Sequence, residues 1–335
     1  MSDLLVLRSI DIVRAKPSYD FIEKTVKNTL IDFSNGYASN PSKIVANPDP
    51  TSMAIAMLGH VPRSQCFGIK SYAERACSSG ISAGSTLTLL DDQTGLPIAV
   101  MDCDWITSTR TGAVCLIMVR ELAIKPKKVL IVGAGRQTQG IVAALLSAET
   151  EIEEVSVLTA SDAAYNTVAD SAGTVASVHR LTRCTNVLKA AALADVVIGA
   201  AGPQTKTSIS LNMLKPGALA IYVGHGLSAD VLHGADQVIS TSDSQMKVTG
   251  ADLADADGNL PSSDAELGAV LSGAKPGRTT PSDIIAAYNS GLAITDVAIG
   301  RYLFDETTRR GGGCKVVGFT PVPNSPQISL RSGAA

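Results

Sequence analysis

The spacing of apolar and polar residues predicts two differently built parts of the chain. In the first third, short apolar or alternating runs predict β-strands, and Ser18–Leu30 has apolar residues every three or four positions, as in an amphipathic helix. Turn-forming residues at Asp91–Pro97 predict a hairpin. We therefore predict a mostly antiparallel sheet over residues 1–118. Its predicted strands are Leu4–Leu7, Met53–Leu58, Cys66–Tyr72, Ser85–Leu90 and Pro97–Asp102.

From Val129 onward, short apolar runs alternate with helical segments, which is typical of a parallel sheet covered by helices. Two later segments, Pro281–Tyr288 and Ala293–Leu303, have helical patterns that would return the chain to the first part. The tail from Gly311 is rich in glycine, proline and serine, and we expect it to be loosely ordered. The predicted strands are Val129–Val132, Val155–Leu158, Ala194–Ala200, Ala218–Val223 and Val238–Thr241.

The junction of the first of these strands with the next helix carries a recognisable chemical pattern. Val129–Val132 leads directly into Gly133-Ala134-Gly135, and a helical pattern follows from Gln139. Glycines let a ligand approach the backbone, and the free N–H groups and dipole of a helix N-terminus attract a pyrophosphate. This order predicts an α/β fold with a Rossmann-type dinucleotide-binding domain over residues 119–294. Thr138 stands where a smaller residue is usual, which we expect to loosen the helix–strand contact slightly.

Composition and charge exclude several classes of protein. A net charge of −3 and a pI near 5.8 give no electrostatic footprint for nucleic acid. No apolar run reaches the ~18 residues that span a membrane. The N-terminus lacks the features of a signal peptide, so we expect a cytoplasmic protein. The cysteines lack metal-ligand spacing, and we expect reduced, mostly buried thiols and no metal site. They are Cys66, Cys77, Cys103, Cys115, Cys184 and Cys314.

Arg110 is the first of two cationic candidates for a substrate site. Thr107 or Ser108 would cap a helix here, which places Arg110 in the first turn, where the helix dipole disfavours a positive charge. That placement is favourable when the arginine and the free helix N–H groups hold an anion together. The alternative is a solvated arginine that pairs with Asp102 or Asp104. Helix physics alone leaves both interpretations open.

Lys70 is the second candidate and lies at the centre of the apolar run Cys66–Tyr72. A lysine within a strand most often faces solvent. The alternative is a lysine in a desolvated cleft, where it would be suited to proton transfer.

Five motifs in this order resemble the ornithine cyclodeaminase and mu-crystallin family and span about residues 4–305. The resemblance implies a homodimer and an NAD(P)-dependent enzyme that acts on the C–N bond of an α-amino or α-imino acid. It also implies a substrate-binding and dimerisation domain over residues 1–118, completed by residues 295–335. The N-terminal half and the region from Glu266 to Arg278 are similar to the branch that makes 2,3-diaminopropionate for siderophores. The motifs are Gly68–Lys70, Leu90–Asp102, Ser108–Ala113, Val132–Gln137 and Gly291–Ala298.

The resemblance also implies roles for individual residues. Arg110 would hold the substrate carboxylate, with Asp296 in the same site, and Lys70 would be a second carboxylate contact or a proton donor. Lys43 follows Pro41 where many members carry arginine, and a lysine recognises a carboxylate less directionally. The implied cofactor-binding residues are Thr109, Gly133, Ala134, Gly135, Arg136, Gln137, Thr159, Ser161, Ala200 and Val223.

The chain departs from the cyclodeaminase pattern after the strand Ala218–Val223. Cyclodeaminases are expected to carry an acid there that activates the side-chain amine, whereas this chain has Gly226, and Asp230 is expected on the next segment. Neighbouring His225 has two open interpretations, an acid–base group near the nicotinamide or a strand-end histidine bonded to backbone or water. The missing acid argues against amine cyclisation and towards plain hydride transfer.

Cofactor identity depends on the end of the second strand, where an acidic residue normally binds the ribose hydroxyls of NAD. Here Thr159 and Ser161 follow the strand, Asp162 is expected to lie too far along, and no arginine follows to hold a 2′-phosphate. Without a carboxylate to repel that phosphate, NADP is slightly favoured over NAD.

The expected function is a cyclic ketimine reductase or an amino-acid dehydrogenase that uses a small α-imino or α-amino acid. The alternatives are an ornithine-type cyclodeaminase and a diaminopropionate-forming dehydrogenase. A non-catalytic, crystallin-like NAD(P)-binding protein is the alternative from another class, and the presence of both Lys70 and Arg110 counts against it.

Overall fold

The computed structural model describes residues 3–49, 51–77, 80–148, 150–172 and 180–317, which form two sheets flanked by helices. Strands are numbered in chain order. The first sheet contains β1 (Leu4–Leu7), β2 (Ile44–Asp49), β3 (Ser52–Val61), β4 (Cys66–Cys77), β5 (Gly80–Asp91), β6 (Pro97–Asp102) and, from the C-terminal region, β15 (Cys314–Val316). The strand order is β15-β1-β6-β5-β4-β3-β2, and each neighbouring pair is antiparallel except β1 with β6. The prediction of a mostly antiparallel sheet is confirmed.

The second sheet is parallel throughout and consists of short, mainly buried strands. They are β7 (Lys128–Val132), β8 (Glu154–Leu158), β9 (Leu181–Arg183), β10 (Val196–Gly199), β11 (Leu219–Tyr222), β12 (Gln237–Ser240), β13 (Ala265–Glu266) and β14 (Ile285–Tyr288). Their order is β13-β12-β14-β11-β10-β7-β8-β9. Because both faces are covered, these strands are continuous apolar runs rather than alternating ones. The predicted α/β fold is confirmed.

Ten helices connect and cover the sheets within the described residues. They are α1 (Ser9–Ala15), α2 (Tyr19–Ser34), α3 (Asp104–Leu122), α4 (Arg136–Ser147), α5 (Asp162–Ala172), α6 (Val187–Leu193), α7 (Ala229–Gly234), α8 (Asp243–Thr249), α9 (Leu267–Leu271) and α10 (Ala293–Arg309). The helices predicted from Ser18 and from Ala293 are confirmed. No described helix is long and apolar enough to cross a membrane.

One prediction for the C-terminal region was wrong, and another was wrong for part of its range. Pro281–Tyr288 is not a helix, because Ile285–Tyr288 forms β14 between β11 and β12. A short apolar run fits a buried strand as well as a helix, and its two flanking strands decide between them here. The tail from Gly311 also contains β15, which pairs with β1, whereas residues 318–335 lie outside the described residues.

Glycines bring α10 against the first sheet. A Cβ atom at Gly59 would lie 2.9 Å from the backbone nitrogen of Ile294, and one at Gly68 would overlap the Val297 side chain. The backbones can therefore approach closely only because these two positions lack side chains. This approach places Asp296, on α10, directly against the inner face of β4.

A second glycine pair lets α3 cross α4. A Cβ atom at Gly112 would overlap the Gly140 carbonyl, and one at Gly140 would overlap the Ser108 carbonyl. The helix that carries Arg110 is thereby fixed against the helix that follows the glycine turn.

Candidate functional site

Three charged side chains meet between the first sheet, α3 and α10. The Nζ atom of Lys70 lies 2.8 Å from Oδ1 of Asp296, and Nε of Arg110 lies 3.3 Å from the same oxygen. The side chains are 3%, 0% and 8% exposed, respectively, so this is a buried ionic cluster. The structure thus brings together three residues that are far apart in the sequence and were expected to share a substrate site.

Lys70 faces inward because it shares a face of β4 with Cys66 and Gly68, which are also buried. Its Nζ also donates to the Thr107 hydroxyl at 2.7 Å. The interpretation of Lys70 as a solvent-facing residue is therefore wrong. A buried ammonium group requires such partners, because its loss of hydration is otherwise too costly.

Arg110 does not lie in the first turn of its helix, and this prediction was wrong. Helix α3 begins at Asp104 after Cys103, and Thr107 donates to the Cys103 carbonyl instead of capping the helix. The argument that free N–H groups around Arg110 hold an anion therefore fails, because those groups lie a turn earlier. Its pairing with Asp102 or Asp104 also fails, since Arg110 pairs with Asp296.

The charges around Asp296 keep its carboxyl group ionised. Burial alone would raise its pKa, but the positive charges of Arg110 and Lys70 hold the pKa below its ordinary value. Oδ1 accepts hydrogen bonds from both cations, whereas the buried Oδ2 has no partner among the described residues. Two cations against one carboxylate leave one net positive charge in the cluster.

The terminal nitrogens of Arg110 remain available. Within the described residues its guanidinium makes one hydrogen bond, from Nε, so Nη1 and Nη2 are free to bind another group. They lie beside Gly291, where a Cβ atom would be 2.7 Å from Nη1 and where φ is +67°. Glycine at this position thus makes room for the guanidinium itself, and the forked geometry of its terminal nitrogens suits a bidentate carboxylate.

Lys43 extends the positive cluster. Its Nζ donates to the Ser290 carbonyl at 2.6 Å. Burial, together with the positive charges of Arg110 and Lys70, lowers the pKa of Lys43 to about 8. An added carboxylate would relieve that repulsion.

Lys43 also lines a cavity of about 580 Å³ at the carboxyl ends of β11 and β14. Ligands of open parallel sheets bind at this edge. The wall includes Tyr222, Val223, Gly224, His225, Thr249, Asp252, Tyr288, Asn289 and Ser290. Lys43 thus connects the buried ionic cluster with an accessible space.

His225 and Asp252 lie together on this wall. Nδ1 of His225 is 3.3 Å from Oδ2 of Asp252, and the side chains are 40% and 52% exposed. The backbone of His225 is held by reciprocal hydrogen bonds with Ala201, each of 2.9 Å. Nothing in the spacing of the sequence signals this pair, because Asp252 comes from a separate loop after α8.

The geometry at Gly226 leaves no room for the acid of a cyclodeaminase. Its φ is +119°, and a Cβ atom would lie 2.7 Å from Cγ1 of Val132. Asp230 is the nearest acid in sequence, but it accepts a hydrogen bond from the Leu211 backbone and does not line the cavity. Asp230 thus lies on the following segment, as the sequence suggested.

The glycine turn has the shape expected of a pyrophosphate site. Helix α4 begins at Arg136, and Gly135 caps it without a side-chain hydrogen bond. Gly133 has a φ of +113°, and a Cβ atom there would be 2.6 Å from Ala201, whereas one at Gly135 would meet no atom within 4 Å. Gly133 is required by its backbone conformation and by its contact with Ala201. Gly135 leaves open space in front of the helix N-terminus, whose N–H groups receive no side-chain hydrogen bond from the N-cap residue.

The residues after the turn are held by the fold. Thr138 is fully buried and donates to the Gly133 carbonyl at 3.1 Å, so it tightens the turn and the expectation of a looser contact was wrong. Nη1 of Arg136 lies 2.7 Å from Asp104 on α3. The other predicted cofactor residues lie in or near the elements around the glycine turn. They are Ala134 in the turn, Gln137 in α4, Thr109 buried in α3, Ala200 after β10 and Val223 after β11.

An arginine that sequence reasoning missed lies beside the end of β8. Arg183, at the end of the adjacent strand β9, pairs with Asp162, and its buried Nε has no partner among the described residues. The Ser161 hydroxyl accepts from the Ala164 backbone at 3.2 Å, while Thr159 is partly exposed. Strand pairing brings Arg183 here, so the absence of an arginine directly after β8 was not decisive.

Comparison with known proteins places these features in context. A family described as the ornithine cyclodeaminase/mu-crystallin family matches residues 6–311. Nodulation efficiency protein NfeD of Rhizobium meliloti is 29% identical over 298 residues, which cover 86% of this chain and 90% of NfeD. A Delta(1)-pyrroline-2-carboxylate reductase of Bacillus thuringiensis subsp. konkukian is 28% identical over 243 residues, covering 68% of this chain and 72% of that protein.

The fold also occurs among solved structures. An archaeal alanine dehydrogenase dimer with bound NAD superposes with a TM-score of 0.78 at 21% identity, covering 94% of this chain and 99% of that one. This similarity shows a common fold.

Proposed function

The chain belongs to the ornithine cyclodeaminase/mu-crystallin family, and from this premise we propose that it is an NAD(P)-dependent reductase of a small α-imino acid, with a cyclic ketimine as the expected substrate. The observation that carries the proposal is the buried cluster of Lys70, Arg110 and Asp296 beside the cavity reached by Lys43. A related Delta(1)-pyrroline-2-carboxylate reductase supports the same reaction class.

In this proposal the net positive charge binds the substrate carboxylate. Arg110 holds it through its free Nη1 and Nη2, and Lys43 contributes a second positive charge from the cavity wall. Asp296 accepts hydrogen bonds from Lys70 and from Nε of Arg110. The second bond fixes the direction in which the Nη1 and Nη2 atoms of the guanidinium point. A fixed carboxylate in turn orients the adjacent imine carbon.

The residues around the glycine turn fit a nicotinamide dinucleotide, because Gly135 leaves open space before the uncapped N-terminus of α4. Such a cofactor, when bound, supplies the hydride that reduces the C=N bond. The chain's part is to orient the substrate and to supply a proton to the imine nitrogen. Lys70 and His225 are the two candidates for that proton.

We favour NADP over NAD as the cofactor. Arg183 lies at the end of β9 beside β8, where the adenosine ribose is expected, and its buried Nε lacks a partner in the part of the chain that the structure describes. Asp162 is 82% exposed, so its carboxylate can move away from Arg183 when a phosphate binds. NAD remains the second candidate, since an archaeal alanine dehydrogenase of the same fold binds it.

We also propose that the protein is a homodimer formed through the outer face of the first sheet. This face has three rows of paired residues: Leu58, Ile69 and Thr88; Ala56, Ser71 and Thr86; and Ala54, Ala73 and Gly84. None of the nine is charged, and Leu58 and Ile69 are 45% and 46% exposed. An uncharged, partly apolar sheet face is suited to burial against a second copy.

The proposed function is tested by following the oxidation of NADPH and of NADH with Δ1-piperideine-2-carboxylate and Δ1-pyrroline-2-carboxylate. Parallel reactions contain NAD⁺ with ornithine, read out as ammonia, and NADH with pyruvate and ammonia. We expect turnover of a cyclic ketimine. Ammonia release from ornithine without ketimine reduction would contradict the proposal and favour the cyclodeaminase alternative, against which the geometry of Gly226 argues.

Arg110→Ala tests the carboxylate assignment. Because a bidentate ionic contact is lost, we expect kcat/KM to fall roughly 100- to 1,000-fold, with a higher KM and a lower kcat. Arg110→Lys should recover part of the loss, since it keeps the charge but not the fork. Arg63→Ala, at an exposed arginine that pairs with the buried Asp32 and does not line the cavity, is the control and should leave turnover unchanged. Wild-type kinetics in Arg110→Ala would refute the assignment.

A further inference from the structure

The cavity wall carries one acid–base pair that lies outside the buried ionic cluster. His225 and Asp252 approach to 3.3 Å, and within the described residues Asp252 is the single partner of the imidazole ring. The other ring nitrogen, Nε2, has no hydrogen-bond partner among the residues that the structure describes. Backbone bonds to Ala201 fix the position of His225 at the end of the parallel sheet.

The pair fixes the role of each ring nitrogen. The negative charge of Asp252 lies 3.3 Å from Nδ1, so it favours the form of His225 that carries a proton on Nδ1. Nε2 is then the nitrogen that exchanges a proton with a ligand in the cavity. From this arrangement we propose that His225 protonates the imine nitrogen through Nε2 and that Asp252 is its positioning residue; the inference rests on the proposed reductase function.

Lys70 is poorly placed for the same task. Its Nζ is committed to Asp296 and Thr107, and its side chain is 3% exposed. Removal of its proton would leave Asp296 with one cationic partner in a buried site, which is costly. Lys43 does line the cavity, but its positive charge is needed for the substrate carboxylate.

The titratable groups that share the wall with His225 are Asp252, Lys43, Tyr222 and Tyr288. Burial raises the pKa of both tyrosines, so their phenols remain protonated through the neutral range. A bound carboxylate favours the charged form of Lys43. In the complex with substrate, His225 is therefore the wall group left to exchange a proton with the ligand.

The proposed step balances with the cofactor already named. The Nε2–H bond breaks and an N–H bond forms at the imine nitrogen, while the adjacent carbon accepts the hydride and its electron pair. The products are an amine, oxidised cofactor and neutral His225, which regains a proton from water. A substrate that already bears a permanent positive charge on nitrogen needs no such proton.

This last point provides the test. Wild type, His225→Gln and Asp252→Asn are compared on Δ1-piperideine-2-carboxylate and on its N-methyl iminium analogue, with Asp230→Asn as an acidic control off the wall. On the imine, we expect kcat to fall roughly 100-fold in His225→Gln and roughly 10-fold in Asp252→Asn, with KM little changed. On the iminium analogue, all four proteins should react within about threefold of one another, because no proton transfer is required.

The pH profile of kcat gives a second readout that needs no analogue. Wild type should lose activity on the alkaline side as the imidazole loses its proton, and His225→Gln should lack this limb. Equal losses on both substrates, or an unchanged alkaline limb, would overturn the inference in favour of a structural role. Wild type that reduces neither substrate would instead refute the proposed function itself.

Discussion

Asp296 shows how one buried residue organises a site without contacting solvent. It is fully buried, yet it remains ionised because Lys70 and Arg110 share its Oδ1 atom. Removal of either cation leaves the carboxylate undercompensated. The residues that we propose to bind substrate therefore also hold this part of the fold together. Activity measurements thus need conservative variants such as Arg110→Lys beside the alanine substitution.

Lys43 leads to a pH prediction. Its pKa of about 8 is below that of free lysine, so it is protonated below pH 8 and loses its charge as the pH rises through 8. Because the substrate carboxylate requires that charge, we expect kcat/KM to decrease above pH 8. Lys43→Arg should keep its charge and extend the plateau to higher pH.

The measurement is kcat/KM from pH 6 to 10 for wild type and Lys43→Arg. The substrate titrates identically in both series, so the difference between the two profiles isolates Lys43. Superimposable alkaline limbs would show that Lys43 does not contribute.

Arg183 leads to a prediction about cofactor choice. Arg183→Ala should raise the KM for NADPH roughly 10-fold or more while leaving that for NADH nearly unchanged, because the adenosine 2′-phosphate alone distinguishes the two cofactors. Asp162→Asn, which removes the competing carboxylate, should shift the preference further towards NADPH. Steady-state kinetics with both cofactors provide the measurement, and an equal effect on both would argue against a phosphate contact.

At the scale of elements, glycines determine how the helices carry the site. Gly59 and Gly68 admit α10 to the first sheet, and Gly112 and Gly140 admit α3 to α4. The sequence predicts these helices from their apolar patterns, but the close approaches are not visible in it. In the sequence, Gly68 is recognisable only as part of a motif. In the structure, its missing side chain lets Val297, and with it Asp296, lie next to Lys70.

Gly140→Ala tests the crossing of α3 and α4. The new methyl group would overlap the Ser108 backbone carbonyl, which cannot rotate away, so the helices must separate. We expect a destabilisation of roughly 2–3 kcal/mol and a weaker affinity for NADPH. Thermal unfolding and cofactor titration measure the two effects.

Gly300→Ala on α10 is the control. Its added methyl group would meet a terminal methyl of Leu87, a flexible side-chain end rather than backbone. It should therefore change stability much less than Gly140→Ala. A similar loss in both variants would mean that glycine itself, rather than the helix crossing, is responsible.

At the scale of the whole molecule, the first sheet has two unlike faces. Its inner face packs on α10 and carries Lys70, whereas its outer face presents the nine uncharged residues of the proposed dimer contact. Because side chains alternate along a strand, one strand such as β4 contributes to both the proposed substrate site and the proposed dimer contact. Loss of the dimer is therefore expected to affect the site through the shared sheet.

Ile69→Glu tests the dimer. Burial of an unpaired carboxylate at the centre of the contact is strongly unfavourable, so we expect a monomer at micromolar concentration. Sedimentation velocity of wild type and variant measures the change. Val13→Glu, a residue 52% exposed on α1, is the control and should leave the mass unchanged. A dimeric Ile69→Glu protein would place the contact elsewhere.

The sequence alone determined the α/β fold, the mostly antiparallel first sheet and the glycine turn, because these depend on periodicity and backbone preferences within a few residues. It failed for Pro281–Tyr288, where a run of four buried residues has no period long enough to separate strand from helix. Only the tertiary structure decided that Lys70 faces inward, that Arg110 pairs with Asp296, and that Asp252 and Arg183 reach their partners. These contacts join distant segments, so they depend on how sheets and helices pack, and no local pattern encodes them.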